Sequence, residues 1–370
     1  MKRVLPFTPN PPGETLEEEL QARGWSQRDL AVILGRPLQM VNEIIAGKKA
    51  ITAETAVSLS QALGISADYW LALESLYRLD LLRAKTNRNQ EYSVQRRARL
   101  FSKAPVSELI RKGWLKTDLN DLDRTEKALC DFLGIPSLDD DPKAPFSARK
   151  AMRNEQHTAA QIVWACRVRN VASTKSAGRY SKDRLLRLVK DLPLRSTSEE
   201  KTQELPDILR DIGVRLVFVE HLSGTRIDGG ALWLGKVPVV ALTLRYDRVD
   251  WFWFTLMHEL AHIAESEHSL DVQLVGNDAQ RNVSDNEERA DHTATEWLVP
   301  RDRMQQFITR VRPYFSRSAI LEFAESMNVH PGIIVGQLQN RGEIPYSYHR
   351  NLLTRIRHLF RDTEAELPES

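Results

Sequence analysis

Apolar residues recur at helical spacing through most of the chain, and Gly or Pro punctuates them. Five short amphipathic segments open it, at residues 14–23, 26–34, 37–46, 53–63 and 66–77, separated by Gly24, Gly35, Gly47 and Gly64. Ser26 and Ser66 have N-cap character and Pro37 suits the first turn of a helix, so five helices are expected within residues 1–84. Helical patterns return at 106–114, 124–133, 159–171 and 181–192, with a Pro-containing linker at 139–145. Residues 216–219 and 239–244 read as strands flanking Gly229-Gly230 and the stretch 235–238. The run 250–257 is apolar and free of Gly and Pro, which predicts a buried helix, and a second amphipathic helix begins at Glu287 and ends before Pro300. The fold class expected is multidomain and mostly α: a five-helix unit at 1–84, a helical middle region at 85–204, an α+β segment at 205–305 and a helical tail at 306–370. No internal repeat is present.

Composition narrows the class without naming an activity. A chain of 370 residues with 42% apolar content can bury several cores, and its net charge of +2 excludes nothing about partners. Cys130 and Cys166 are too few for a disulfide framework, so a reducing cytoplasm is the expected compartment. No secretory leader pattern opens the chain, whose Pro6, Pro9, Pro11 and Pro12 read as a loose arm. No stretch approaches a membrane span, and residues 361–370 have the composition of a disordered end.

The residues richest in chemistry are His258-Glu259-Leu260-Ala261-His262. On a helix, this H-E-x-x-H spacing stacks two imidazoles on one face, where they can share one divalent metal. A catalytic zinc site needs a third protein ligand and one open position. His268 stands where a longer H-E-x-x-H-x-x-G-x-x-H pattern places a third histidine, yet Glu265 occupies the position of the Gly that turns that chain back. Glu287 is the better candidate, because it completes a His-His-Glu set. Asp291, one turn later, can accept an N–H from a metal-bound imidazole. Glu288 faces away and is expected in solvent. Glu259 then has the place of a general base beside the zinc, and Tyr246, His292 and His330 are candidate oxyanion stabilisers. An edge strand before the metal helix would hold an extended peptide by strand addition. Trp114, Trp164 and His157 read as packing residues.

The strands, the H-E-x-x-H word, Glu287-Glu-Arg-Ala-Asp291 and Trp297-Leu-Val-Pro300 together resemble the ImmA/IrrE family of metallopeptidases over about residues 205–300. The resemblance implies a zincin-like α+β fold, zinc held by His258, His262 and Glu287, and Glu259 as base. Residues 329–339 also resemble the segment that often follows such domains. One departure is Trp297-Leu-Val-Pro300, where the family usually has a Leu-Leu-Met-Pro type of ending.

The N-terminal pattern is helix, tight turn, helix over residues 26–46. It resembles the Cro/C1-type (XRE) helix-turn-helix over about residues 9–75, closest to HigA-like antitoxins, whose Gly-Lys-Lys-Ala-Ile-Thr step matches residues 47–52. That likeness makes residues 37–46 the recognition helix. Gln39 and Asn42 are then placed to read base edges, with Arg28, Arg36, Lys48 and Lys49 on phosphates. Charge does not concentrate there: residues 14–49 hold six acids and five bases, whereas 83–118 hold ten bases and three acids, and 149–191 eleven and three. The basic stretches fit either a solvated helical face or a surface for phosphates or an acidic partner. Two functions are expected from these features. One is a homodimeric regulator that binds an inverted-repeat operator and carries a zinc endopeptidase cutting a repressor or other partner protein. The other is an antitoxin or transcription factor, with a toxin as partner, whose metal segment senses or supports and cuts nothing.

Overall fold

A computed structural model describes residues 11–85, 88–142, 158–266, 269–272 and 285–363. The expected N-terminal arm and residue His157 lie outside these, as do part of the 139–145 linker and the last residues of the expected disordered end; Pro11 and Pro12 begin the first helix. Five helices follow one another: α1 (Pro12–Arg23), α2 (Gln27–Leu34), α3 (Leu38–Ile45), α4 (Ala53–Leu63) and α5 (Ala67–Lys85). Each begins or ends for a local reason. Ser26 accepts the Asp29 N–H at 3.2 Å while the Asp29 carboxylate accepts the Ser26 N–H at 2.8 Å, a reciprocal cap that starts α2. Gly35, at φ 62°, ends α2 in the left-handed region that a side chain resists. Pro37 sits at the N-cap position of α3, one residue earlier than the expected first turn. α5 continues past the expected end at residue 77, since neither Gly nor Pro occurs between Ile65 and Pro105. The core is built from Leu16, Leu20, Leu30, Val41, Ile44, Leu59 and Trp70. Glu74, buried beneath it, accepts the Ile51 N–H at 3.0 Å and ties the chain after α3 to α5. This first unit reaches Arg96.

Residues 97–370 form the second compact unit. The segments expected at 85–204, 205–305 and 306–370 therefore share cores there. The reason lies in a four-stranded sheet that needs cover on both faces. After α6 (Arg88–Lys103), α7 (Val106–Arg111), α8 (Leu122–Leu133), α9 (Ala159–Ser173), α10 (Lys182–Asp191), α11 (Glu199–Gln203) and α12 (Leu205–Asp211) come β1 (Arg215–Phe218), β2 (Ile227–Leu234) and β3 (Val237–Leu242). Next are α13 (Val249–Ala264), β4 (Ser269–Val272), α14 (Asp285–Leu298), α15 (Arg301–Val311), α16 (Arg317–Met327) and α17 (Pro331–Asn340). The strand order is β1-β3-β2-β4, with β1 parallel to β3 and the other pairs antiparallel.

Alternation along the strands assigns the two covers. Val217, Val219, Leu232, Val239 and Ala241 meet the middle helices through Leu109, Leu129, Leu133 and Trp164. Leu216, Phe218, Ala231, Val240 and Leu242 meet α13 through Phe252, Trp253 and Leu256, and the C-terminal helices join the same core through Phe307, Phe323, Ile334 and Leu338. Trp164 is fully buried and donates its indole N–H to Val219 O at 3.3 Å, a packing role as expected. Trp164→Ala leaves a cavity against the sheet and an orphaned carbonyl, so it is expected to destabilise the chain by about 3–5 kcal/mol. Denaturant unfolding measures this; a loss under 1 kcal/mol would mean the middle helices do not support the sheet.

Two strand expectations change. Gly229 and Gly230 lie inside β2, paired with Leu242 and Ala241, rather than between strands. The strand that precedes α13 is internal, and among the described residues the edges of the sheet are β1 and β4. Among the described residues no helix is long and apolar enough to cross a membrane.

Candidate metal centre and nucleic-acid interface

The candidate metal ligands sit on two helices packed against each other. α13 carries the H-E-x-x-H word, and all of its residues from Leu256 to Ala264 are buried. Its start is held by Arg248, whose guanidinium donates to both Asp250 carboxylate oxygens at 3.1 and 2.7 Å. Its end comes at Ala264, and Ser266 at φ 57° turns the chain without the help of a glycine. His268 lies outside the described residues, so the alternative third ligand is not placed.

α14 brings Glu287 to the pair. His258 Nε2 and His262 Nε2 are 3.1 Å apart, and Glu287 Oε2 stands 3.2 Å from the first and 3.4 Å from the second. Three lone-pair atoms do not converge in a buried place without a cation or protons between them. Donors about 2.0–2.1 Å from a tetrahedral centre are about 3.3–3.4 Å from one another, so the triangle has the size of three corners of a zinc site. Of the described His, Cys, Asp and Glu residues, these three form the group able to hold a metal ion. The imidazoles are 3% and 2% exposed.

The tautomer of His258 is set from behind. Its Nδ1 donates to Asp291 Oδ1 at 2.9 Å, which leaves the Nε2 lone pair facing the triangle. Glu288 is exposed, as its rotation on the helix requires. Burial by itself pushes the Glu287 carboxyl up, but its contacts with His258 and His262 outweigh this and hold it far below the usual carboxylate range. Burial likewise works against a charged His262, and Glu287 and Glu259 overcome it and raise its pKa. Both shifts describe a site that attracts positive charge.

Glu259 is completely buried, an expensive position for a carboxylate that serves no purpose. β2 makes room for it. A Cβ placed on Gly229 would stand 2.7 Å from the Thr255 methyl group and 2.9 Å from Glu259 Oε1. The glycine pair is thus a close approach of strand to helix. Sequence reasoning missed this role, although Gly-Gly beside a strand pattern is the signal that could have raised it.

A cavity of about 400 Å3 opens on the His262 side, lined among others by Asn286, Arg289, His292 and Trp297. Of the three oxyanion candidates, His292 alone lines it. Tyr246 packs its ring 4.7 Å from Trp251, and His330 caps α17, its Nδ1 accepting the Gly332 N–H at 3.0 Å.

In the first unit, Arg28, Arg36, Gln39, Asn42, Lys48 and Lys49 are all exposed. α3 buries Val41 and Ile44 and turns Gln39 and Asn42, one turn apart, to the opposite side. Lys48 and Lys49 are held in a tight turn in which both backbone N–H groups donate to Glu43 O, at 2.8 and 3.0 Å. Two of the six already have partners: Gln39 donates to Glu43 at 2.9 Å, and Arg36 pairs with Glu54. Contact with DNA would exchange those bonds.

Residues 16–70 match the family model described as helix-turn-helix. The chain is 38% identical over 71 residues to virulence-associated protein I of Dichelobacter nodosus, a match spanning 19% of this chain and 66% of that relative. Among solved structures, an addiction module antidote protein of the HigA family from Coxiella burnetii is 33% identical, with 23% of this chain and 95% of that one covered, at a TM-score of 0.23. A Pseudomonas aeruginosa protein solved in complex with its 18 bp operator DNA is 31% identical, with 23% and 94% covered, at a TM-score of 0.22.

Proposed function

We propose that this chain, whose N-terminal unit is a helix-turn-helix domain of the XRE family, is a DNA-binding regulator carrying a zinc-dependent endopeptidase of the ImmA/IrrE kind. The observation that carries the reading is the convergence of His258, His262 and Glu287 beside a fully buried Glu259. Held by those three residues, zinc would supply Lewis acidity to a water and to a peptide carbonyl. Glu259 accepts the proton of the attacking water and passes it to the leaving amine. Asp291 keeps His258 in the tautomer that presents Nε2, and Gly229 keeps the wall behind Glu259 clear. The cavity at His262 is the place for the peptide, with His292 on its rim.

Incubating the zinc-loaded chain with the proteins encoded beside it, and sequencing any new N-termini, tests the endopeptidase. Intact partners under zinc-loaded conditions would favour the second reading, an antitoxin-like regulator whose metal centre senses or supports. The Gly-Lys-Lys-Ala-Ile-Thr step at 47–52 is the feature that favours that alternative.

On the DNA side, two copies of the chain would pair their α3 helices across successive major grooves of an inverted repeat. Gln39 and Asn42 are the polar side chains on the outer face that can pair with adenine edges. Replacing both with Ala is expected to remove operator preference, at about 1–3 kcal/mol for each base contact, and to leave weak binding to any duplex. Replacing Lys48 and Lys49 should weaken all sequences alike and lower the salt slope by about one per phosphate contact. A salt titration against operator and random duplex separates the outcomes; equal affinity of the unmodified chain for both at every salt concentration would make this unit a protein-binding module.

A further inference from the structure

Two loops of the second unit, one joining α15 to α16 and the other following α17, are fastened side by side. Arg312 donates to both carboxylate oxygens of Glu343, its Nε 2.7 Å from Oε2, and His349 Nε2 donates to Phe315 O at 2.8 Å. Gln339, 2% exposed, donates its amide to Tyr346 O at 3.4 Å and to Tyr348 O at 3.1 Å, which fixes the backbone beneath both tyrosines. His349 is held at φ 55°, a left-handed conformation that a residue with a side chain keeps only where its surroundings impose it. What this frame presents is aromatic and cationic. Tyr314, Tyr346 and Tyr348 are 84%, 64% and 56% exposed, and no other large apolar side chain of the described residues from 301 to 360 is exposed. Residues 310–318 and 341–350 hold five arginines, no lysine and a single acid, Glu343, which Arg312 engages. Arg310, Arg317 and Arg350 are exposed and make no ion pair among the described residues.

Open rings and free guanidiniums together narrow the partner. A nucleic-acid duplex meets the guanidiniums with phosphate but keeps the faces of its bases inside the stack. An acidic protein meets them with carboxylate, yet a stable protein interface is centred on buried apolar side chains, and the three rings stand here without any. Unpaired nucleotides use both features, since each offers a π-face to stack on a ring and a phosphate to pair with arginine. We propose that this surface binds single-stranded DNA, its bases stacked on Tyr314, Tyr346 and Tyr348 and its backbone held by Arg310, Arg317 and Arg350. The choice of DNA over RNA rests on the DNA-binding reading of the first unit given above; the stacking surface itself does not. Because every base has a face to stack, the binding tolerates any sequence and weakens with salt.

Fluorescence anisotropy of the full chain with a labelled oligothymidine of about fifteen nucleotides tests the site. The same strand annealed to oligoadenine, an oligouridine and unlabelled polyglutamate are the comparisons. All are measured also with Lys48 and Lys49 replaced by Ala, so that phosphate contacts of the first unit do not supply the signal. Oligothymidine is expected to bind more tightly than the duplex. Replacing Tyr314, Tyr346 and Tyr348 with Ala should weaken it by at least about tenfold, whereas Phe at all three positions should keep the affinity, because the ring rather than the hydroxyl does the stacking. Arg317→Met with Arg350→Met should weaken binding and lower the salt slope. These side chains are exposed, so their replacement leaves the core untouched. Absence of oligothymidine binding at low salt, undiminished binding without the rings, or equal affinity for the duplex overturns the proposal. Displacement by polyglutamate as effective as by unlabelled oligothymidine would make this a general polyanion or acidic-protein surface, and tighter binding of oligouridine would make it an RNA surface; either result overturns it as well. Operator duplex titrated on the same preparations keeps the first unit's reading separate, since its loss in the unmodified chain would count against the helix-turn-helix proposal alone.

Discussion

On the proposed endopeptidase reading, Glu259→Gln is expected to keep zinc and to lose peptidase activity by about 10²- to 10⁴-fold, the usual contribution of a positioned general base. The amide fills nearly the same volume against Gly229, so the packing of α13 on β2 survives. What disappears is the acceptor for the water's proton. The experiment pairs metal analysis with a cleavage assay on the same preparation. Full activity in the variant would show that another group carries the proton, and His292 on the cavity wall would be the next residue to replace.

Glu287→Gln is expected to lose most of the zinc. The charged oxygen that completes the triangle at 3.2 and 3.4 Å becomes a neutral amide, while two imidazoles remain. Asp291→Asn acts one bond further out: it weakens the hold on the His258 ring and should cost about 10- to 100-fold in metal affinity with the ligands themselves intact. Competition with a chromogenic chelator gives both numbers. Undiminished zinc in Glu287→Gln together with loss in His268→Ala would move the third ligand to His268.

Which parts of this were legible in the chain follows from the range of the interactions. The four-residue spacing of His258 and His262 needs only a helix, and an apolar run without Gly or Pro supplies one; their shared face is therefore a local property. The same holds for the first unit, where caps such as Ser26 with Asp29, and glycines such as Gly35, mark helix ends within a few residues of where they occur. Gln39 and Asn42 face outward because Val41 and Ile44 face inward, which periodicity already requires.

Glu287 and Asp291 were legible as residues of the right kind, but only the packing of α13 against α14 brings their oxygens to the two ring nitrogens of His258. Tertiary structure alone decided the rest. A strand buried on both faces has no polar alternation to announce it, so β2 was hidden behind Gly229 and Gly230, whose missing side chains make sense only once Thr255 and Glu259 are seen against them. The helices at 301–340 look like a tail as sequence, since an amphipathic pattern names an apolar face without naming what covers it; the sheet and α13 do so.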